Sequence, residues 1–215
     1  MQADKIKLTL LLLMTAVPIV LATVLFKLSD GAGATSNKGT LIVPVLDVTE
    51  LDMRSASGEP LFRTFEEEVA GVSPRDYVPR PWMLVYLGAA ACDAACEERL
   101  FFLRQAHRRL GAEAARVKRY YLAATLDGEG EASLDPAARA LFAENFPDME
   151  VAFADPSVLR ANLAGTAREG GDPVAEHYVY VVDPVGNVML YFTPDNTPED
   201  ILEDIDKLLE RSSLG

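Results

Sequence analysis

The fold turns on Trp82-Met83-Leu84-Val85-Tyr86-Leu87-Gly88, followed directly by Ala89-Ala90-Ala91-Cys92-Asp93-Ala94-Ala95-Cys96. The run from Trp82 to Leu87 is apolar without interruption, the pattern of a strand buried on both faces. A helix is expected from about Asp93 to Leu110, carrying Leu100, Phe101, Leu103 and Leu110, with Gly111 as its stop. The only two cysteines of the chain, Cys92 and Cys96, therefore sit where a strand gives way to a helix. Backbone N–H groups at a helix start favour a thiolate, which is both a nucleophile and a soft metal ligand. With both residues in the first helical turns, the i, i+4 spacing puts the sulfurs on one face, able to close a disulfide or clamp one soft ion. Asp93, Glu97 and Glu98 work against the thiolate through like charge, so a strongly acidic thiol is not expected. The pair narrows the function to redox exchange, metal handling or a structural disulfide. A staple across so short a loop adds little stability, which weighs against the last.

Downstream, Val117 to Thr125 reads as a second strand, and Asp135-Pro136 opens a helix running to about Phe146. A short strand at Val151 to Phe153 and a helical turn at Pro156 to Leu163 follow. His177 to Val182 and Val188 to Phe192 then flank Asp183-Pro184-Val185-Gly186-Asn187, a tight hairpin. Thr197, Pro198 and Asp200 form a capping box ahead of a helix whose Ile201, Leu202, Ile205, Leu208 and Leu209 share one stripe. Strand, helix, strand, helix, antiparallel hairpin and final helix is the order of an α/β, thioredoxin-like domain. Trp82 and the tyrosines at 86, 120, 121, 178 and 180 are read as core and strand-pairing residues. His107, eleven residues after Cys96 on one helix, lies about 16 Å along the axis and is set aside as a ligand. Asp127, Glu129 and Glu131 are read as a solvated loop.

Ahead of Trp82 the chain is irregular. Leu8 to Phe26 carries no charge and is flanked by Lys5, Lys7 and Lys27, about the length that spans a bilayer core. An Ala32-Gly33-Ala34 sequence offers a signal-peptide alternative, but the apolar run exceeds the usual leader core. The expected organisation is a membrane anchor at 1–28, a flexible tether at 29–40, an extended and irregular membrane-proximal segment at 41–81, and a thioredoxin-like domain at 82–215. Pro44 makes Leu41 to Leu46 an edge strand or extended arm, and Leu61 to Val69 holds a short helix. The expected location is the inner (cytoplasmic) membrane, with the N-terminus inside and the domain in an oxidising periplasm or its equivalent. The formal net charge of -13 argues against nucleic acid as a partner.

Gly88-x-x-x-Cys92-x-x-x-Cys96 after an aromatic-rich strand, with His177 ahead of a strand ending Asp183-Pro184-Val185-Gly186, resembles the Sco/SenC family, as a divergent member. The resemblance covers roughly residues 80 to 195. It implies a membrane-anchored thioredoxin fold that holds copper with two cysteines and a histidine and assists cytochrome c oxidase assembly. Cys92 and Cys96 are then the thiolate ligands, His177 the imidazole ligand, and an oxidase subunit or another membrane-complex protein the client. Two thiolates and an imidazole form a donor set suited to copper. Asp93 and Glu97 stand where the family carries proline, and His177 is two residues closer to the hairpin, a shift of about 6.5 Å along one strand face. Two other functions stay open: a thiol–disulfide oxidoreductase acting on a client's cysteines, with Cys92 and Cys96 as the redox pair, and a redox-inactive interaction protein of a membrane complex.

Overall fold

A computed structural model describes Lys7 and residues 14–25, 37–73, 75–125, 132–168 and 170–214. The chain divides into two units, Met1–Asn37 and Lys38–Gly215. In the first, residues 14–25 are helical, and apolar side chains such as Ile19 and Val20 are exposed. Among the described residues no helix is long and apolar enough to cross a membrane. The rest of the expected anchor, most of the tether and the Asp127–Glu131 loop lie outside the described residues.

The second unit is built on one sheet. Along the chain come β1 (Thr40–Asp47), α1 (Phe65–Val69), β2 (Trp82–Gly88), α2 (Ala94–Arg109), β3 (Val117–Ala124) and α3 (Pro136–Asn145). They are followed by β4 (Glu150–Ala154), α4 (Pro156–Asn162), β5 (Val179–Val182), β6 (Asn187–Phe192) and α5 (Pro198–Arg211). The strands stand in the order β1-β6-β5-β2-β3-β4. β2, β3 and β4 are parallel, while β5, β6 and β1 add antiparallel to the other edge of β2. This is the mixed α/β, thioredoxin-like arrangement that the element order implies.

Every residue of β2 is buried, which is why its sequence shows no polar alternation. Its side chains nonetheless alternate between two cores. Trp82, Leu84 and Tyr86 pack with Leu100 and Leu103 of α2, Phe142 of α3 and Ile205 and Leu209 of α5. Met83, Val85 and Leu87 pack with Val48, Leu51, Leu159, Tyr178 and Tyr180 on the other face. Parallel strands need crossovers, and α2 and α3, which supply them, both cover the first face.

Local chemistry fixes the element ends. Asp135 caps α3 by accepting the Ala138 N–H at 2.7 Å, with Pro136 at the first position. Thr197 and Asp200 form the expected reciprocal cap on α5. In the β5–β6 turn, Asp183 Oδ1 accepts the N–H groups of Val185, Gly186 and Asn187, each at 2.9 Å, and Gly186 takes φ +105°. β1 is an edge strand, its pairing with β6 interrupted between Leu41 and Leu46 around Pro44. The stripe of α5 also contains a buried acid: Asp204 Oδ2 accepts the Lys38 N–H at 2.6 Å and the Gly39 N–H at 2.8 Å.

Gly88 is where the strand must leave room for the site. A Cβ there would lie 2.5 Å from Tyr121 Oη and 2.9 Å from Tyr86 Cε1. Gly88→Ala is expected to push Tyr121 off its position and cost about 1–3 kcal/mol by overpacking. Urea unfolding of the variant checks this; an unchanged midpoint would contradict it.

Candidate functional site

α2 begins one residue later than the sequence suggests. Asp93 is its N-cap, and its Oδ1 accepts the Cys96 N–H at 2.9 Å. An aspartate takes this position because its carboxylate satisfies a donor that the first turn leaves unpaired. Cys92 therefore precedes the cap, and only Cys96 lies on the helix. The expectation that both cysteines ride one helical face is corrected to a pair that straddles the cap. The two are joined in a disulfide with a Cα–Cα distance of 5.3 Å. Their exposure differs: Cys96 is buried, while Cys92 is half-buried and reachable.

Beneath the disulfide lie two stacked tyrosines from neighbouring parallel strands. Tyr86 of β2 and Tyr121 of β3 are register partners, with ring centroids 5.4 Å apart. Tyr121 Oη is 3.9 Å from Cys96 Sγ and donates to the Ala89 carbonyl at 2.7 Å, tying the cysteine loop to β3. Burial pushes both hydroxyls well above the ordinary tyrosine value; Asp93 adds to this for both, and the two rings' mutual charge adds for Tyr86. Both phenols accordingly stay protonated through the neutral range.

His177 reaches the same cluster from the far side of Tyr86. It does not open β5, as the sequence suggests, but stands in the turn before it at φ +54°. Left-handed backbone costs a non-glycine residue about 1–2 kcal/mol and persists where the surroundings hold it. Here the hold is the Tyr86 hydroxyl, 2.6 Å from His177 Nδ1, with the two rings stacked at 6.2 Å. Because the residue sits outside the pleat, the same-face argument for a two-residue shift along a strand does not apply. With Nδ1 engaged by the phenol, Nε2 is left for another partner. Among the described residues no group of three or more His, Cys, Asp or Glu side chains is placed to hold a metal. In this oxidised arrangement His177 is joined to the cysteines through Tyr86 and Tyr121 and does not share one centre with them.

A family model described as the transmembrane-like, thioredoxin-like, C-terminal domain matches residues 82–212, more than half of the chain. The chain belongs to this family. No curated protein matches it in sequence. Among solved structures, yeast Sco1 with copper bound is similar at a TM-score of 0.51 and 10% identity, over 83% of this chain and 96% of that one. Apo Sco1 from Thermus thermophilus has a TM-score of 0.51 and 16% identity, over 82% and 99%. Arabidopsis thaliana ScoI with copper bound has a TM-score of 0.50 and 12% identity, over 74% and 96%. At these identities the likeness is one of fold: this thioredoxin-like domain and the Sco structures share it.

Within the thioredoxin-like domain, one further residue near the site escaped the sequence reading. Arg99, one turn after Cys96, is buried and donates to the carbonyls of Asn196 at 2.8 Å and Thr193 at 2.5 Å. It pins the segment between β6 and α5 against α2. An arginine on a helix that is otherwise charged looks solvated from sequence, and nothing in the local pattern distinguishes it. The tyrosines were legible as core residues, but not as hydroxyls bonded to the cysteine loop and to His177. His107, by contrast, is accounted for structurally: its Nε2 lies 2.8 Å from the Val117 carbonyl.

Asp93 holds both the cap and the local charge. Asp93→Ser keeps a side-chain cap but removes a negative charge beside the sulfurs, which stabilises the reduced, anionic form. The reduction potential of the pair is expected to rise by about 30 mV, a tenfold change in equilibrium with a reference dithiol. A fall, or no change, in that redox titration would contradict this reading.

Proposed function

We propose that this chain is a membrane-anchored, thioredoxin-like copper carrier whose cargo binds Cys92 and Cys96 after their disulfide is reduced, with delivery to a cytochrome c oxidase subunit. The observation that carries the proposal is the cysteine pair itself: the only two cysteines of the chain close enough to bond, one reachable, over a buried tyrosine pair linked to His177. Reduction takes two electrons and two protons and yields two thiols, whose thiolates are soft donors suited to Cu(I). The fold likeness to copper-bound Sco structures supports the reading, as does the Cys92, Cys96 and His177 pattern. His177 enters as a third ligand only if Nε2 is brought to the opened pair, and Tyr86 is the residue that orients it.

The unequal exposure of the sulfurs supports a second activity of the same pair. A client thiolate attacks Cys92 Sγ, the Cys92–Cys96 bond breaks, and Cys96 leaves as the thiolate. A second client thiol then displaces Cys92, leaving the client with a disulfide and this chain with two thiols. The reverse sequence reduces a client before it receives metal.

The deciding experiment is a Cu(I) titration of the reduced protein against a competing chelator. One copper retained per chain supports the carrier reading. Complete loss of copper to the chelator overturns it and leaves thiol–disulfide exchange as the function of the pair.

A further inference from the structure

Beside the disulfide, the outer face of α2 forms one wall of a shallow groove of about 560 Å³, lined by Ala94, Glu97, Glu98, Phe101, Arg104 and Phe146 among others. Ala94 and Glu97 lie within two residues of Cys96 on α2, so the groove begins within a turn of the reactive pair and runs along the helix. Its end near the cysteines is acidic, and among the described residues neither the Glu97 nor the Glu98 carboxylate has an ion-pair or hydrogen-bond partner. Its middle is apolar. Phe101 is 42% exposed, large for a phenylalanine on an ordered helix. At the far end Arg104 lies over the rings of Phe101 and Phe146, at 5.0 and 5.3 Å, and donates to the Asn145 carbonyl at 2.7 Å. That guanidinium is engaged as part of the wall.

We propose that this groove seats the cysteine-bearing segment of the client, a segment with a basic residue next to the cysteine that meets Cys92 and an apolar side chain farther along that covers Phe101. The inference rests on the reading of Cys92–Cys96 as a reactive pair. Charge complementarity selects the occupant: free carboxylates at the cysteine end attract a cation and repel an acidic strand. Length sets the spacing. Cys92 to Phe101 spans nine residues, about 14 Å at the helical rise of 1.5 Å each, which an extended segment covers in about four residues. The apolar residue of the client is therefore placed about four positions from its cysteine. An exposed aromatic beside a polar rim is the arrangement that anchors a partner.

The test uses the oxidised full chain in detergent and three short dithiol peptides. The first has lysine next to one cysteine and phenylalanine four positions away; the second has glutamate for the lysine; the third has serine for the phenylalanine. Rates of disulfide reduction are divided by the rate with dithiothreitol, which removes any effect on the intrinsic reactivity of the pair. The first peptide is expected to react about tenfold faster than the second at low salt, with the gap closing at high salt. Glu97→Lys combined with Glu98→Lys is expected to reverse that preference, and Phe101→Ser to erase the difference between the first and third peptides. Glu66→Lys, at an exposed position of α1 that does not line the groove, serves as the control and is expected to change neither ratio. Equal rates for all three peptides on the unaltered chain, alongside normal reduction by dithiothreitol, would overturn the groove and leave the reactive pair standing. An effect of Glu66→Lys as large as that of the groove variant would also overturn it, since whole-chain charge would then be the cause. No reduction by dithiothreitol would overturn the reactive pair and this inference together.

Discussion

Cys92→Ser is expected to weaken Cu(I) retention by the reduced protein by more than 100-fold. Loss of a residue that only orients a ligand lowers metal affinity by about 10–100-fold, and loss of a thiolate ligand removes a metal–sulfur bond outright. The variant perturbs ligation more than folding, because Cys92 lies before the helix cap and only half-buried, at the edge of the core that seats α2, where serine is close to isosteric. His177→Ala separates the two versions of the site. A loss comparable to that of Cys92→Ser makes the imidazole a ligand, and a loss of about 10–100-fold makes it an orienting group acting through Tyr86. Competition titration against a Cu(I) chelator reads both. Retention of copper by Cys92→Ser at the wild-type level would end the carrier reading.

Asp204→Ala is expected to destabilise the protein by about 2–4 kcal/mol. The carboxylate is buried and accepts two backbone N–H groups at the start of the sheet, Lys38 at 2.6 Å and Gly39 at 2.8 Å. Alanine leaves those donors without an acceptor, and each buried, unpaired donor costs about 1–3 kcal/mol, the more exposed Lys38 N–H falling at the lower end. For a chain of this size the melting temperature should fall by roughly 5–15 °C. Asp204→Asn, which keeps an oxygen in place, should lose much less. Equal melting temperatures for Asp204→Ala and the unaltered chain would show that the clamp contributes nothing. The clamp matters for the architecture because it fixes the point where β1 joins the rest of the sheet.

The contrast between Asp204 and its neighbours on α5 shows where pattern reading stops. Ile201, Ile205 and Leu209 were legible because burial of an apolar stripe is a property of helical period alone. Asp204 falls on the same stripe, yet its period predicts only position. Whether a carboxylate is tolerated there depends on two N–H groups 166 and 165 residues away in sequence. The same holds at the site. Asp93 was read as a charge beside the cysteines, and its role as the cap that leaves Cys92 off the helix is a hydrogen bond over three residues. His177 was read as a strand residue because Tyr178 to Val182 continues apolar, while its left-handed backbone depends on Tyr86, 91 residues earlier.

By itself the sequence determined the element order, the central position of the uninterrupted apolar strand, the tight turn at Asp183–Asn187, the caps at Asp135 and Thr197, and the placement of both cysteines at a strand-to-helix junction. These follow from local forces: side-chain period, turn chemistry and capping act over a few residues and leave their mark in the order of residue types. Only the tertiary structure decided that the cysteines are bonded across a cap with unequal exposure. It also set the tyrosine pair beneath them, the attachment of His177 to Tyr86 instead of to the sulfurs, and the burial of Arg99 and Asp204. Apart from the disulfide, which closes over four residues, each of these depends on contacts between segments far apart in the chain, made when the fold brings them together. No local pattern encodes which polar group will meet which, because the partner is chosen by packing and not by sequence spacing.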